Sequence, residues 1–366
     1  MYKKILVALS FILILALANN FFNLSAKIYQ LLPENKQVNL LKEKNKKAKA
    51  NIVKKDTSKK YEYSINILTF GDLMLDRYVR VAMNKKSLEY PFEQIKTFIA
   101  DSKPDLIYAN LEGPITDFAP KKLHPNNLTF TFDPSVTPIL AQTGFNVLGL
   151  ANNHSLNYGQ VGLDQTRNYL TQNNIYYFGS PLNQEKLSYI IEKSNQKLAF
   201  VGYNELSTNN FEKVKKEIQK IKQEKLADFI IFFPHWGNEY QTKFSKLQQQ
   251  KAHEIIDYGA DLIIGTHPHV IQPIEIYNQK VIFYSLGNFL FDQTFSVNTQ
   301  QGIGVNLNLH HDKITFNLHP HHTDNFQIKL LPQDKAQTIL NTIATNSAVS
   351  EEIKEEIKRG RFETKK

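Results

Sequence analysis

From residue 63 onward, short apolar runs recur and each one stops at a polar loop. They lie at 65–70, 106–109, 147–150, 198–203, 229–233, 262–264 and 281–284. Stretches with helical periodicity separate several of them, at 91–100, 162–172, 211–226 and 247–258. Runs this short are strand-length, and strands alternating with helices predict an α/β fold with a mixed or parallel sheet covered by helices. The chain has 366 residues, 42% of them apolar, which is enough for a substantial buried core.

In such folds, ligands gather outside the carboxyl ends of the strands. The residues that follow the runs are therefore the place to look for chemistry. They read Gly71-Asp72, Asn110-Leu111-Glu112, Asn152-Asn153-His154, His235-Trp236-Gly237, Gly265-Thr266-His267-Pro268-His269 and Ser285-Leu286-Gly287-Asn288. A single Asp after Gly is ordinarily a turn residue, and a single His ordinarily packs or is solvated. Carboxylates, an Asn and several His at successive strand ends are harder to explain by turns alone. Oxygen and imidazole donors without thiolate suit Mn, Fe, Zn or Mg. His267 and His269, two apart on a loop expected to be extended, would project to the same side. Arg77, just after the first motif, could fork to a phosphate or a carboxylate, or form a structural ion pair. Glu239, Tyr240, Ser285, Asn288 and Asp292 are candidates to support ligands or touch substrate. The histidines at 310, 311, 319, 321 and 322 read as solvated strand ends around a turn at Pro320 rather than as a second metal site, because no carboxylate recurs in register with them.

Charge is distributed unevenly. Residues 1–60 hold 13 of the 44 Lys and Arg but 3 of the 35 Asp and Glu, which leaves the remainder at 31 against 32. The basic character thus belongs to the N-terminal segment, and the neutral folded part gives no nucleic-acid footprint. The absence of Cys excludes disulfide frameworks, thiolate metal sites and Cys nucleophiles. After Lys3 and Lys4, residues 5–18 are apolar except for Ser10. That length suits a signal peptide, with Ala16-Leu17-Ala18 as a cleavage site, while Phe21, Phe22 and Leu24 extend it toward a membrane anchor. Either predicts an extracytoplasmic, membrane-anchored or secreted protein. The expected organisation is a signal or anchor at 1–25, a Lys-rich tether at 26–62, a main domain at 63–310 and a strand/helix extension at 311–366.

The segments GDLML (71–75), ANLEGP (109–114), ANNHSLNYG (151–159), PHWGNEY (234–240), GADLIIGTHPHVIQ (259–272) and YSLGNFLFDQ (284–293) together resemble the CapA family of poly-γ-glutamate capsule synthesis proteins. That family is similar to the calcineurin-like metallophosphatases. The resemblance implies a four-layer α/β/β/α sandwich with a divalent metal site of one ion, or two, at the strand ends. It implies Asp72, Glu112, Asn153, His235, His267 and His269 as metal ligands, with Glu112 bridging, and His154 as the group that assists a leaving oxygen. Where dimetal phosphatases carry a His two residues after the first Asp, this chain has Met74, so the first metal position is expected to be weak and a His at 74 to restore it.

Three functions are compatible with these residues. The first is a part in synthesis, export or anchoring of an extracellular anionic polymer, beside a membrane polymer-synthesis complex. The second is a metal-dependent phosphoesterase acting on a phosphate-bearing substrate. The third is a polymer-binding module without turnover.

Overall fold

The computed structural model describes residues 63–118, 128–207 and 210–366; the expected signal or anchor and the Lys-rich tether lie outside these residues. Chain order builds the first sheet in two stages. Strands β1 (Ile65–Leu73), β2 (Leu106–Leu111), β3 (Val147–Gly149) and β4 (Tyr176–Phe178) come first and lie side by side, all parallel. A second sheet follows: β5 (Ser188–Lys193), β6 (Gln196–Asn204), β7 (Phe229–His235), β8 (Leu262–Ile264), β9 (Ile274–Tyr277) and β10 (Lys280–Phe283), ordered β5-β6-β7-β8-β10-β9. Its four central strands are parallel and its two edges antiparallel. The chain then returns to the first sheet. Strand β11 (Asn288–Leu290) pairs with the end of β1, and β12 (Gln301–Leu309), β13 (Lys313–Asp324), β14 (Gln327–Leu330) and β15 (Arg361–Lys365) extend the other side.

Side-chain alternation explains the layering. In β1 and β2, Ile65, Ile67, Leu106 and Tyr108 share one core with Leu198, Phe200, Phe229, Ile231, Phe233, Leu262 and Phe283 of the second sheet. The two sheets therefore face each other. The alternate residues Leu68, Phe70, Ile107 and Ala109 turn outward, against α1 (Arg77–Lys85), α2 (Lys96–Asp101), α3 (Val136–Thr143) and α4 (Gly159–Gln172). On the second sheet, Ala199, Val201, Ile230, Phe232 and Ile263 pack against α5 (Phe211–Gln223) and α6 (Lys246–Tyr258). Runs apolar on both faces are what a sheet covered on both sides requires. Helices α7 (Gln333–Asn346) and α8 (Glu351–Lys358) add Ile339, Leu340, Ile343 and Ile357 to the inter-sheet core beside Phe316 and Phe362. Residue 311 lies in the turn between β12 and β13, which pair along nine positions.

Two local expectations change. The helix expected at 91–100 is a 3-10 turn at Tyr90–Phe92, with Pro91 in its first turn where no N–H is needed, followed by α2 from Lys96. Pro320 is not at a turn. It lies inside β13 opposite Ile303, and the reversal comes at Asn325 and Phe326, both with positive φ. His321 is consequently buried against Phe70 and Phe289 rather than solvated.

Candidate metal centre

The strands run further than their apolar stretches suggest, and this carries polar side chains to the sheet edge. β1 continues through Asp72, β2 through Asn110 and β7 through His235, so these residues are fixed by strand ladders rather than by loops. Asp72 stands in register with Asn110 on one side and Asn288 on the other. Gly71 permits this: a Cβ there would lie 1.8 Å from the carbonyl oxygen of Gly287, so only glycine lets β11 approach β1. From the second sheet, His235 pairs across to Thr266.

Asp72 is fully buried and held from several directions. Oδ1 accepts from the Asn110 amide at 2.8 Å, and Oδ2 accepts from the His267 backbone N–H at 3.1 Å. His269 Nδ1 is 3.3 Å from Oδ2, and His235 Nδ1 is 3.8 Å from Oδ1. Burial alone would raise the Asp72 carboxyl, but the bonds and charges of His269 and His235 and the Asn110 amide outweigh it and hold it well below the usual range. Glu112 moves the other way. Burial first, then the adjacent Asp72 carboxylate, push it well above the usual range. Its Oε1 lies 3.6 Å from His269 Nε2 and 3.9 Å from His154 Nε2, with no hydrogen-bond partner.

The histidines are oriented by identifiable neighbours. The Asn110 amide lies 3.2 Å from His235 Nδ1 and donates to it, and His235 Nε2 is 2.9 Å from Asn153 Oδ1. His269 Nδ1 is 2.9 Å from Asn288 Oδ1, and the Asn288 amide is fixed by Gln293 Oε1 and the Thr299 carbonyl. His154 Nδ1 is 3.0 Å from Asn157 Oδ1, and its ring stacks on Phe130 with centroids 4.2 Å apart. An amide oxygen can only accept, so Nδ1 carries the proton and Nε2 faces Glu112 with a lone pair. Burial lowers the pKa of His154 and of His235, and takes His267 down to about 4. Neutral imidazoles are the form that binds metal.

His267 and His269 do converge, but not on an extended loop. Their φ values are +97° and +58°, with Pro268 between them, and the ring centroids are 5.8 Å apart. Left-handed backbone at non-glycine residues is strained, and such strain concentrates where function fixes a side chain. The buried His267 Nδ1 has no partner. Two unpartnered buried donors, Glu112 Oε1 and His267 Nδ1, beside a set of only carboxylate, amide and imidazole groups, fit a hard or borderline divalent cation. Asp72, Glu112 and His269 offer atoms within 4.8 Å of one another, as do Glu239, His267 and His269. Asn153 and His235 lie directly alongside.

Two candidates differ in their surroundings. Arg77 is forked onto Asp292, with Nε 3.0 and 2.9 Å from the two carboxylate oxygens and Nη2 also on Oδ1, and it lies over Phe130 and Phe291. It belongs to the rim of the centre, already paired. Met74 is buried among Leu73, Leu75 and Val79 in the core beneath the helices, and its sulfur accepts the Asp76 N–H at 3.0 Å. Asn110 and Asn152 also belong to the centre. Asn152 donates to Asn110 Oδ1 and the Leu111 carbonyl, and its own Oδ1 accepts the His154 and Ser155 N–H groups, pinning the 153–155 turn. For Asn110 the signal was present: two residues before Glu112 in a strand places both on one face.

Residues 66–293 match the family described as bacterial capsule synthesis protein PGA_cap. The PGA biosynthesis protein CapA of Bacillus subtilis is 33% identical over 260 residues, 66% of this chain and 67% of that protein. The capsule biosynthesis protein CapA of Bacillus anthracis is 31% identical over 243 residues, 61% of this chain, and the match spans 59% of that protein's length. Among solved structures, a phosphatase from Mycoplasma pneumoniae shares 14% identity at a TM-score of 0.44, covering 68% of this chain and 89% of that one, too distant to carry a functional argument. The chain belongs to the bacterial capsule synthesis protein family PGA_cap.

Proposed function

We propose that this protein acts in the synthesis, export or anchoring of an extracellular anionic polymer of the poly-γ-glutamate type, through a divalent-metal centre at the strand ends. The observation that carries the reading is the convergence of Asp72, Glu112, Asn153, His235, His267 and His269 on one edge of a chain from a capsule synthesis family. A bound divalent ion would supply Lewis acidity toward a phosphoryl or carboxyl oxygen. Asp72, Glu112 and His269 would hold it on one side, and Asn153, His235 and His267 on the other. Asn110 and Asn288 keep His235 and His269 aimed, and His154 presents Nε2 next to Glu112, where it can take or return a proton at a leaving oxygen. Arg77 stays forked onto Asp292 at the rim, and its guanidinium N–H groups could meet an anionic group only in addition to that pair.

The same geometry supports a second reading as a metal-dependent phosphoesterase. The observation in its favour is His154, fixed through Asn157 with its second nitrogen turned into the centre. The apolar segment 5–18 and the Lys-rich stretch after it support a tethered, extracytoplasmic placement. Among the described residues, no helix is long and apolar enough to cross a membrane.

Complementation tests the first reading. In a poly-γ-glutamate-producing strain lacking its own CapA, this chain should restore surface polymer and His235→Ala/His267→Ala should not. Equal restoration by both would remove the metal centre from the function. Hydrolysis of an aryl phosphate by the purified chain with added manganese, without restoration of polymer, would favour the phosphoesterase.

A further inference from the structure

Glu239 enters the centre from a direction the family correspondence does not assign. It sits in the turn after β7, and the turn is built to hold it in place. Gly237 has φ +84° and Tyr240 φ +64°. Gly237 N–H donates to Glu205 at 2.7 Å, and Tyr240 N–H donates to the Pro268 carbonyl at 2.8 Å. The second bond ties the turn carrying Glu239 to the strained His267-Pro268-His269 turn. The Tyr240 ring then stacks beside His269, with centroids 6.2 Å apart. As a result, a carboxylate oxygen of Glu239 lies within 4.8 Å of nitrogen atoms of both His267 and His269. Glu239 is exposed, whereas both imidazoles are 2% exposed, so the carboxylate closes the group from the solvent side.

Three facts make this more than a surface acid near two histidines. His267 Nδ1 is buried and unpartnered. Met74, which by resemblance stands where an imidazole would be expected, has its side chain committed to the core. Finally, Asp72 and Glu112 group with His269 on one side, and on the other side, around His267, Glu239 is the carboxylate that groups with the imidazoles.

Building on the metal-centre reading, we propose that Glu239 is itself a metal ligand, a solvent-side carboxylate that completes the centre and compensates for the missing imidazole. It joins His267 and His269, next to the group formed by Asp72, Glu112 and His269. This makes the centre richer in carboxylate than an all-imidazole rim and shifts its preference toward the harder ions of the candidate set, manganese and magnesium, relative to zinc.

The test uses the full chain, stripped of metal and titrated with manganese by calorimetry, with metal content also measured after dialysis. Glu239→Gln keeps size and polarity but removes the charge. It should weaken manganese binding about 10-fold or more, with the melting temperature of the metal-free protein unchanged. Zinc binding should fall less than manganese binding. Manganese affinity in Glu239→Gln equal to wild type would overturn the proposal while leaving the centre intact. Failure of the wild type to bind any of the candidate ions would overturn both, with His267→Ala marking the response of a buried ligand.

Discussion

The residue that most separates local identity from local role is Met74. By resemblance it stands where a ligand would be expected, and its sulfur is a poor donor for a hard ion. Its side chain, however, is fully buried between the first sheet and the helices, where its sulfur accepts the Asp76 N–H. Asp76 in turn caps α1, pairs with Arg80 at 2.7 Å and accepts the Thr131 N–H. Met74→His would thus place a polar ring in an apolar site instead of adding a ligand. The expected outcome is a loss of about 2 kcal/mol of stability with no gain in bound manganese, measured by thermal denaturation and metal analysis. A gain in metal would show that the side chain can swing out of the core, and that the first position is weak for want of an imidazole.

At the scale of elements, the parallel strands were legible and the returning ones were not, for the same physical reason. Strands buried on both faces, such as β1, β2, β6, β7 and β8, need apolar residues at every position, which makes them visible as runs. β11 is three residues long and buries Asn288, and β13 carries Asn317, His319, Pro320, His321 and His322. β13 alternates over Ile314, Phe316 and Leu318, but its second half is polar and holds a Pro, and β11 is too short to carry a pattern; they form because the partner ladder is there to receive them. The candidate site was legible to the extent that its carboxylates and imidazoles follow the visible runs. Asn288, which positions His269, was legible only as a candidate, since its role depends on β11 lying against β1. That contact is itself testable at Gly71. An added Cβ would meet Gly287 backbone atoms at 1.8 and 2.9 Å, neither of which can move as a side chain could. Gly71→Ala should cost about 3 kcal/mol and also weaken metal binding, because Asp72 and Asn288 share that register. Destabilisation without any change in metal affinity would show that the two strands separate without disturbing the donor set.

At the scale of the whole molecule, one strand of the first sheet, β13, contributes to the packing on both of its faces, and acid should expose its part in stability. β13 pairs with β12, β14 and β15, and through them supports both the inter-sheet core and the outer core. His319 and His321 lie on its outer face. Burial lowers each from 6.5 to about 4. His319 packs on Phe98 with centroids 4.7 Å apart, and its buried Nε2 has no partner. For a histidine with a depressed folded pKa, the unfolded chain binds a proton near 6.5 that the folded chain refuses until about 4. Stability is therefore complete above pH 6.5 and is lost progressively between 6.5 and 4. For a shift of this size the loss at pH 5 is about 2 kcal/mol per histidine. His319→Phe keeps the aromatic contact and removes both the titrating group and the unpartnered nitrogen. Its stability should match or exceed wild type at pH 8 and fall less on acidification, so that at pH 5 its denaturant midpoint lies above that of wild type. The comparison belongs on metal-free protein, since release of a metal held at the proposed centre would steepen the acid limb of both proteins. Parallel pH profiles for the two would mean that the acid response arises elsewhere than at His319.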